Sequence, residues 1–108
     1  MLVFVSHCYG GDKENIEKAK KITHDLLVKD RANCYICPLL TFSHLENGEL
    51  GFDDEMELCL DIMCNAERLI VASKEISKGV KMEIDFAKLV KMEVMRLDEN
   101  GDLRPFTE

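Results

Sequence analysis

Ser77, Gly79 and Glu83 stand in "SKGVKMEIDFA" (77–87), a Ser-x-Gly turn that runs into a helix with a carboxylate in its early turns. The amides of a helix start can bind an anion. A carboxylate placed just beyond can attack an anomeric carbon, or stabilise the oxocarbenium-like charge that develops there. Plain structural physics also accounts for each residue taken singly. Serine is a favoured N-cap, glycine lets a turn form, and the helix macrodipole favours an acid near the N-terminus. Further candidates lie in "SHCYGGD" (6–12), where Ser6, His7, Tyr9 and Asp12 follow an apolar run, and at His44 in a later stretch. An acid, a tyrosine hydroxyl and a helix-start anion site, gathered at one edge, suit the cleavage or transfer of a sugar that carries phosphate.

The elements that must bring these residues together can be read from hydrophobic pattern. "LVFVS" (2–6) is a continuous β-branched and aromatic run, as in a strand buried on both faces. Asp12 is a natural N-cap for a helix in which Ile16, Ala19, Ile22, Leu26 and Leu27 recur at helical spacing. A second strand is expected over 32–39 and a long loop over 40–54. A helix should follow over 54–66, with Met56, Leu60, Met63 and Cys64 as its apolar stripe. "RLIVAS" (68–73) reads as a third strand, 79–91 as a helix and "EVMRL" (93–97) as a fourth strand. The Asn-Gly of "DENGDLRPF" signals a turn that can add a hairpin arm.

Strands alternating with helices predict an α/β fold, a small Rossmann-like or flavodoxin-like three-layer sandwich on a mainly parallel sheet of four or five strands. In such sheets ligands bind beyond the carboxyl ends of the strands, at the switch in strand order. That rule selects the loops carrying Ser6 to Asp12, Thr41 to Asp53, and Ser73 to Glu83.

Bulk composition narrows the classes. The chain has 108 residues, the size of one domain over 1–108, and is 46% hydrophobic and 32% charged. Its formal charge of −7 disfavours a nucleic-acid polymer as partner, which needs a basic face. No run approaches the roughly 18 apolar residues of a membrane span, and the first residues lack the basic region of a signal peptide. A cytoplasmic protein with no membrane partner is expected. Five cysteines in such a setting read as reduced. "CYIC" (34–37) is expected within a strand, its two sulfurs on opposite faces, and so structural rather than redox-active. His7 and His44 are isolated, with no spacing that suggests a metal site. No P-loop, G-x-G-x-x-G or G-x-S-x-G is present, so an NTPase, a dinucleotide oxidoreductase and a serine hydrolase are poorly supported; no cofactor is expected.

"VFVSHCYGGDKENIEKAKK" followed by "AERLIVASKEISKGVKMEIDFAKLVKMEV" resembles the nucleoside 2-deoxyribosyltransferase-like superfamily. The likeness runs over about residues 2–97 and points to a small bacterial or phage branch near the deoxynucleoside 5′-monophosphate N-glycosidases. Its most specific pieces are Gly11, Asp12 and Asn15, and Ser77, Gly79 and Glu83. The resemblance implies that Glu83 is the nucleophile, that Tyr9 orients it, and that Ser77 contacts a 5′-phosphate. It further implies substrate contacts from Ser6, His7, Gly10, Gly11, Asp12 and Gly79, and a small nucleoside or nucleotide as ligand. The superfamily's base-contacting aspartate falls at Cys59 here, with Glu57 and Asp61 to either side; Asp61 is the acid taken as its substitute. A homodimer or larger homo-oligomer is implied too, with Met56, Met63 and Met82 on the joining surface. Two other functions fit the same residues: a nucleotide-binding module without turnover, and a TIR-like NAD glycohydrolase, which "VFVSH" before an acidic helix also resembles.

Overall fold

The structure, a computed structural model, describes residues 1–45 and 48–107. Nine elements follow in order: β1 (Leu2–Ser6), α1 (Lys13–Lys29), β2 (Cys34–Ile36), α2 (Pro38–Phe42), α3 (Phe52–Met63), β3 (Arg68–Val71), α4 (Lys78–Leu89), β4 (Glu93–Leu97) and β5 (Leu103–Pro105). The five strands form one sheet in the order β2-β1-β3-β4-β5. The first four are parallel, and β5 pairs antiparallel with β4. This is the flavodoxin-like order, with its switch point between β1 and β3.

Alternation along the strands divides the core in two. Phe4, Leu69 and Val71 point to one face and pack with Cys59, Met63, Val80, Ile84 and Ala87 of α3 and α4. Val3, Val5 and Ile70 point to the other and pack with Ala19, Ile22 and Leu26 of α1. The three-layer α/β sandwich is thereby complete. Leu69 is fully buried at its centre, and truncation to alanine there would cost about 2–5 kcal/mol.

Three expectations change. The second strand is shorter than 32–39, because Pro38 stands at the first position of α2, where its fixed φ and missing N–H suit a helix start. Cys37 is therefore the N-cap of α2 and not a strand residue; it is buried, whereas Cys34 is exposed. α3 begins earlier than expected, at Phe52, and its buried stripe is Met56, Cys59 and Met63, with Cys64 exposed. The loop expected over 40–54 thus carries helical turns at both ends; Glu46 and Asn47 within it lie outside the described residues. Finally, Met56 and Met63 are core residues of a single chain, so of the three methionines expected on a joining surface only Met82 is open to solvent.

The arm after β4 follows its sequence signal. Gly101 adopts a left-handed φ of 80°, and the Asp98 carboxylate accepts from the amides of Asn100 and Asp102, both at 2.9 Å. No described helix is long and apolar enough to cross a membrane.

Candidate active site

α4 buries Val80, Glu83, Ile84 and Ala87, an i, i+3, i+4, i+7 stripe in which Glu83 occupies a place suited to a hydrophobe. Its side chain is only 7% exposed. A carboxylate there must be hydrogen-bonded or protonated. Ser6, the last residue of β1, donates its hydroxyl to Glu83 Oε1 at 2.7 Å, across 77 residues of chain. The Cys59 thiol of α3 lies beside the same carboxylate and favours its charged form. Burial pushes the Glu83 carboxyl up to about 7, against the downward pull of Ser6 and Cys59. Near neutral pH, Glu83 can therefore exist in either state, as a nucleophile or acid–base group requires. Burial first, then the charge of Glu83, pushes the Cys59 thiol up to about 12. It remains a neutral thiol that can donate a hydrogen bond but is a poor proton source.

Glu83 opens into a cavity of about 630 Å³ at the carboxyl end of β1, walled by α2, α3 and the start of α4. That is the size of a site for a small organic ligand. Of the residues expected from the sequence, Ser6, His7, Tyr9, Gly10, Gly11, Ser77, Gly79 and Glu83 all line it. The first loop arches over it through Gly10 and Gly11, which adopt left-handed φ values of 58° and 77°. Tyr9 is 37% exposed and forms no side-chain hydrogen bond to Glu83 among the described residues. The hydroxyl hydrogen-bonded to the carboxylate in this structure is that of Ser6. His7 places Nδ1 2.7 Å from the carbonyl of Cys8.

Asp12 stays outside. Its carboxylate caps α1 by accepting from the Glu14 amide at 2.9 Å. Asn15 and the Asp12 amide both donate to the Tyr9 carbonyl, so this pair fixes the shape of the first loop. Asp61 is solvent-exposed and does not line the cavity; His44 is likewise exposed and outside it. Ser77 caps α4, its Oγ accepting from the Val80 amide at 3.3 Å, and keeps lone pairs for a ligand. A Cβ on Gly79 would meet Met56 Sδ at 3.6 Å and Phe52 Cε2 at 3.7 Å, ordinary contacts, so packing alone does not demand glycine there.

Sequence reasoning missed part of the wall. Phe52, Glu55 and Met56 of α3 line the cavity together with Cys59. Their i, i+3, i+4, i+7 spacing was the available signal, hidden by starting the helix two residues late. Lys78 lays its ammonium 4.7 Å from the centre of the Phe52 ring at the mouth, a cation–π contact. A larger groove of about 1170 Å³ lies beyond β3 and β4, but none of its titratable side chains is buried. The smaller cavity is the better candidate because it holds the perturbed carboxylate. Among the described residues, no group of three or more His, Cys, Asp or Glu could hold a metal ion.

Two solved structures are similar in fold. A conserved protein from Enterococcus faecalis V583 superposes with a TM-score of 0.74 at 11% identity, over 89% of this chain and 62% of that one. The chain thus spans less than two thirds of that protein's length. A 2-desoxiribosyltransferase from Leishmania mexicana superposes with a TM-score of 0.62 at 14% identity, over 97% of this chain and 79% of that one. At such identities the likeness establishes a shared deoxyribosyltransferase-like, Rossmann-type fold. No curated protein matches the chain. The family model for a domain of unknown function, DUF7768, matches residues 1–97, and the chain belongs to that family.

Proposed function

We propose that the protein cleaves or transfers the N-glycosidic bond of a nucleoside or nucleotide, with Glu83 as the nucleophile. The observation that carries this reading is the buried carboxylate, held by Ser6 at the switch point of the sheet and open to a ligand-sized cavity. In this reading the Glu83 carboxylate attacks C1′ and the sugar–base bond breaks, its electron pair leaving with the base. Water or a second base then takes the sugar from the Glu83 ester. Ser77 and the start of α4 receive a 5′-phosphate, and the first loop with Tyr9 covers the sugar. The fold shared with the Leishmania mexicana 2-desoxiribosyltransferase supports the assignment to nucleoside-type substrates.

Incubation with a panel of deoxynucleosides, their 5′-monophosphates and NAD tests the reading by the free base or nicotinamide released. Release that disappears in Glu83→Gln supports it; intact substrates across the panel sink it. Nicotinamide from NAD alone would favour TIR-like chemistry. A second reading, a nucleotide-binding module without turnover, is favoured by one observation: the superfamily's acid position is a neutral thiol turned onto Glu83. It predicts thermal stabilisation by a nucleotide without any product. The proposal also includes self-association through α3 and α4, where Phe52, Leu58 and Met82 are exposed. A monomer by light scattering removes that part.

A further inference from the structure

Glycosyl transfer from a neutral base requires a second group, because the base leaves poorly as an anion and must gain a proton as the bond breaks. Cys59 cannot serve, since its thiol lies against Glu83 and is held neutral there. Four residues of α3 line the cavity: Phe52, Glu55, Met56 and Cys59. Glu55 is one helical turn before Cys59, so the two side chains lie on one face, Glu55 nearer the mouth. Glu57 and Asp61, the acids flanking Cys59 in sequence, are exposed and do not line the cavity. Glu55 is half-buried, and its carboxylate makes no hydrogen bond or ion pair among the described residues. An acid at the start of α3 would be favoured by the helix dipole alone, but Asp53 and Asp54 already supply that and both are exposed. Of the other titratable side chains on the wall, Tyr9 is more exposed than Glu55, and two more are engaged on one side. His7 turns Nδ1 to the Cys8 carbonyl, and Lys78 sits over Phe52.

We propose that Glu55 is the catalytic residue that contacts the leaving base and carries its proton, one turn away from the position where Cys59 stands. The inference rests on the glycosyl-transfer reading of Glu83. In the first step the two carboxylates hold one proton between them, and the reactive form, with that proton on Glu55 and Glu83 ionised, gives it to a ring nitrogen of the base. The electron pair of the C1′–N bond stays on that base, which departs neutral, while Glu83 forms an ester with the sugar. In the second step water attacks C1′, its proton passes to the Glu55 carboxylate, and Glu83 is released as a carboxylate. Both acids end as they began, and water is the only co-reactant. The inverse arrangement, in which the side chain only packs, predicts no dependence on the nature of the leaving group.

Two substrates with one sugar separate these cases. One is a purine deoxynucleoside 5′-monophosphate, whose base needs a proton to leave. The other is the 2′-deoxy form of nicotinamide mononucleotide, whose cationic ring becomes neutral on leaving and needs none. Glu55→Gln should lower turnover of the purine substrate by about 100-fold or more and change nicotinamide release only a few-fold. Glu57→Gln should leave both unchanged, and Glu83→Gln should abolish both. Unaltered thermal unfolding of Glu55→Gln is expected because the side chain has no partner to lose; Glu55→Asp, which keeps an acid, serves as the second variant and should retain part of the purine turnover. Equal losses of Glu55→Gln on the two substrates, or no loss on the purine, would overturn the assignment. A wild-type protein that cleaves only the nicotinamide substrate overturns it as well, while leaving Glu83 chemistry standing. Failure of the wild type on both substrates overturns the glycosyl-transfer reading itself, and Glu55 with it.

Discussion

Two carboxylates at opposite edges of the sheet both accept side-chain hydrogen bonds, and their acidities move in opposite directions. Asp30 closes α1 before β2, at the edge where the strands begin. It accepts from the Tyr35 hydroxyl and Asn33 amide, both at 2.7 Å, and from the Ala32 amide at 3.0 Å. Those bonds, that of Tyr35 foremost, hold its carboxyl below the usual range. Glu83 accepts from Ser6 at 2.7 Å and has the Cys59 thiol beside it, yet burial outweighs both and its carboxyl rises to about 7. Hydrogen bonding to the charged form and loss of water are opposed effects, and access to water decides which one wins. At the lower edge a solvated carboxylate stays ionised and pins a turn. At the upper edge a desolvated one is left balanced between two states, which suits chemistry and costs stability.

Glu83→Gln should break the comparison most. Turnover of any nucleoside substrate found should fall on the order of 10⁶-fold, as removal of a nucleophile does in other enzymes. The same variant should be more stable than wild type above neutral pH. Burial raises the folded pKa above the ordinary 4.5, so the native state holds its proton more tightly than the unfolded chain does. The resulting penalty is absent below 4.5, grows as pH rises, and is complete above about 7. Its size is about 3 kcal/mol for a shift of this order. Urea unfolding of the two proteins at about pH 5 and about pH 8 should show the gap widening with pH. A gap that stays constant would mean that Glu83 is not desolvated.

Asp30→Ala should act at the other edge and in the other sense. Its stabilisation is present above the ordinary aspartate value of 3.8 and is lost as pH falls through the lowered folded value. Thermal unfolding should drop by a few degrees at neutral pH and show less difference in acid. Base release should be unaffected, since Asp30 is remote from the cavity wall. Loss of turnover in a folded Asp30→Ala protein would undo the division between a structural and a reactive carboxylate.

That division was only half visible in the sequence. The strand "LVFVS", the turn at Ser77 and the acid at Glu83 follow from local pattern, and with them came the fold class and eight of the residues that line the cavity. Glu83 even carried its own signal, a charge in the apolar stripe of α4. The contact between Ser6 and Glu83 was not legible, because tertiary packing alone brings together residues 77 apart. Nor was α2, where the apolar residues before and after Pro38 read as one strand until the proline's fit to a helix start decided otherwise. Asp61 was selected for its charge and its distance from Cys59, but helical phase turns it to solvent and turns Glu55 to the cavity.

Ser6→Ala should sharpen the comparison rather than break it. It removes the stronger of the two supports that hold the Glu83 carboxylate ionised, so the carboxyl should titrate higher still. Turnover at neutral pH should fall about tenfold, the value of one hydrogen bond to a charged acceptor, and should recover in part as pH is raised. A purely structural serine would lower the rate equally at every pH. The pH profile of the rate distinguishes the two.

Cys59→Ser and Cys59→Ala make the smallest change and the finest test. A thiol is a weak donor, so its place beside Glu83 should lower that carboxyl less than the Ser6 bond does. Serine keeps a donor in the same place, and the Glu83 titration should move little or slightly downward, since a hydroxyl donates better. Alanine removes the donor and should move it upward, by less than Ser6→Ala does. Following the Glu83 side-chain carbon by NMR through a pH titration reads all three variants on one scale. The order expected, from highest titration to lowest, is Ser6→Ala, Cys59→Ala, wild type and Cys59→Ser. Should Cys59→Ala exceed Ser6→Ala, the thiol and not the serine hydroxyl would be the principal support of the carboxylate.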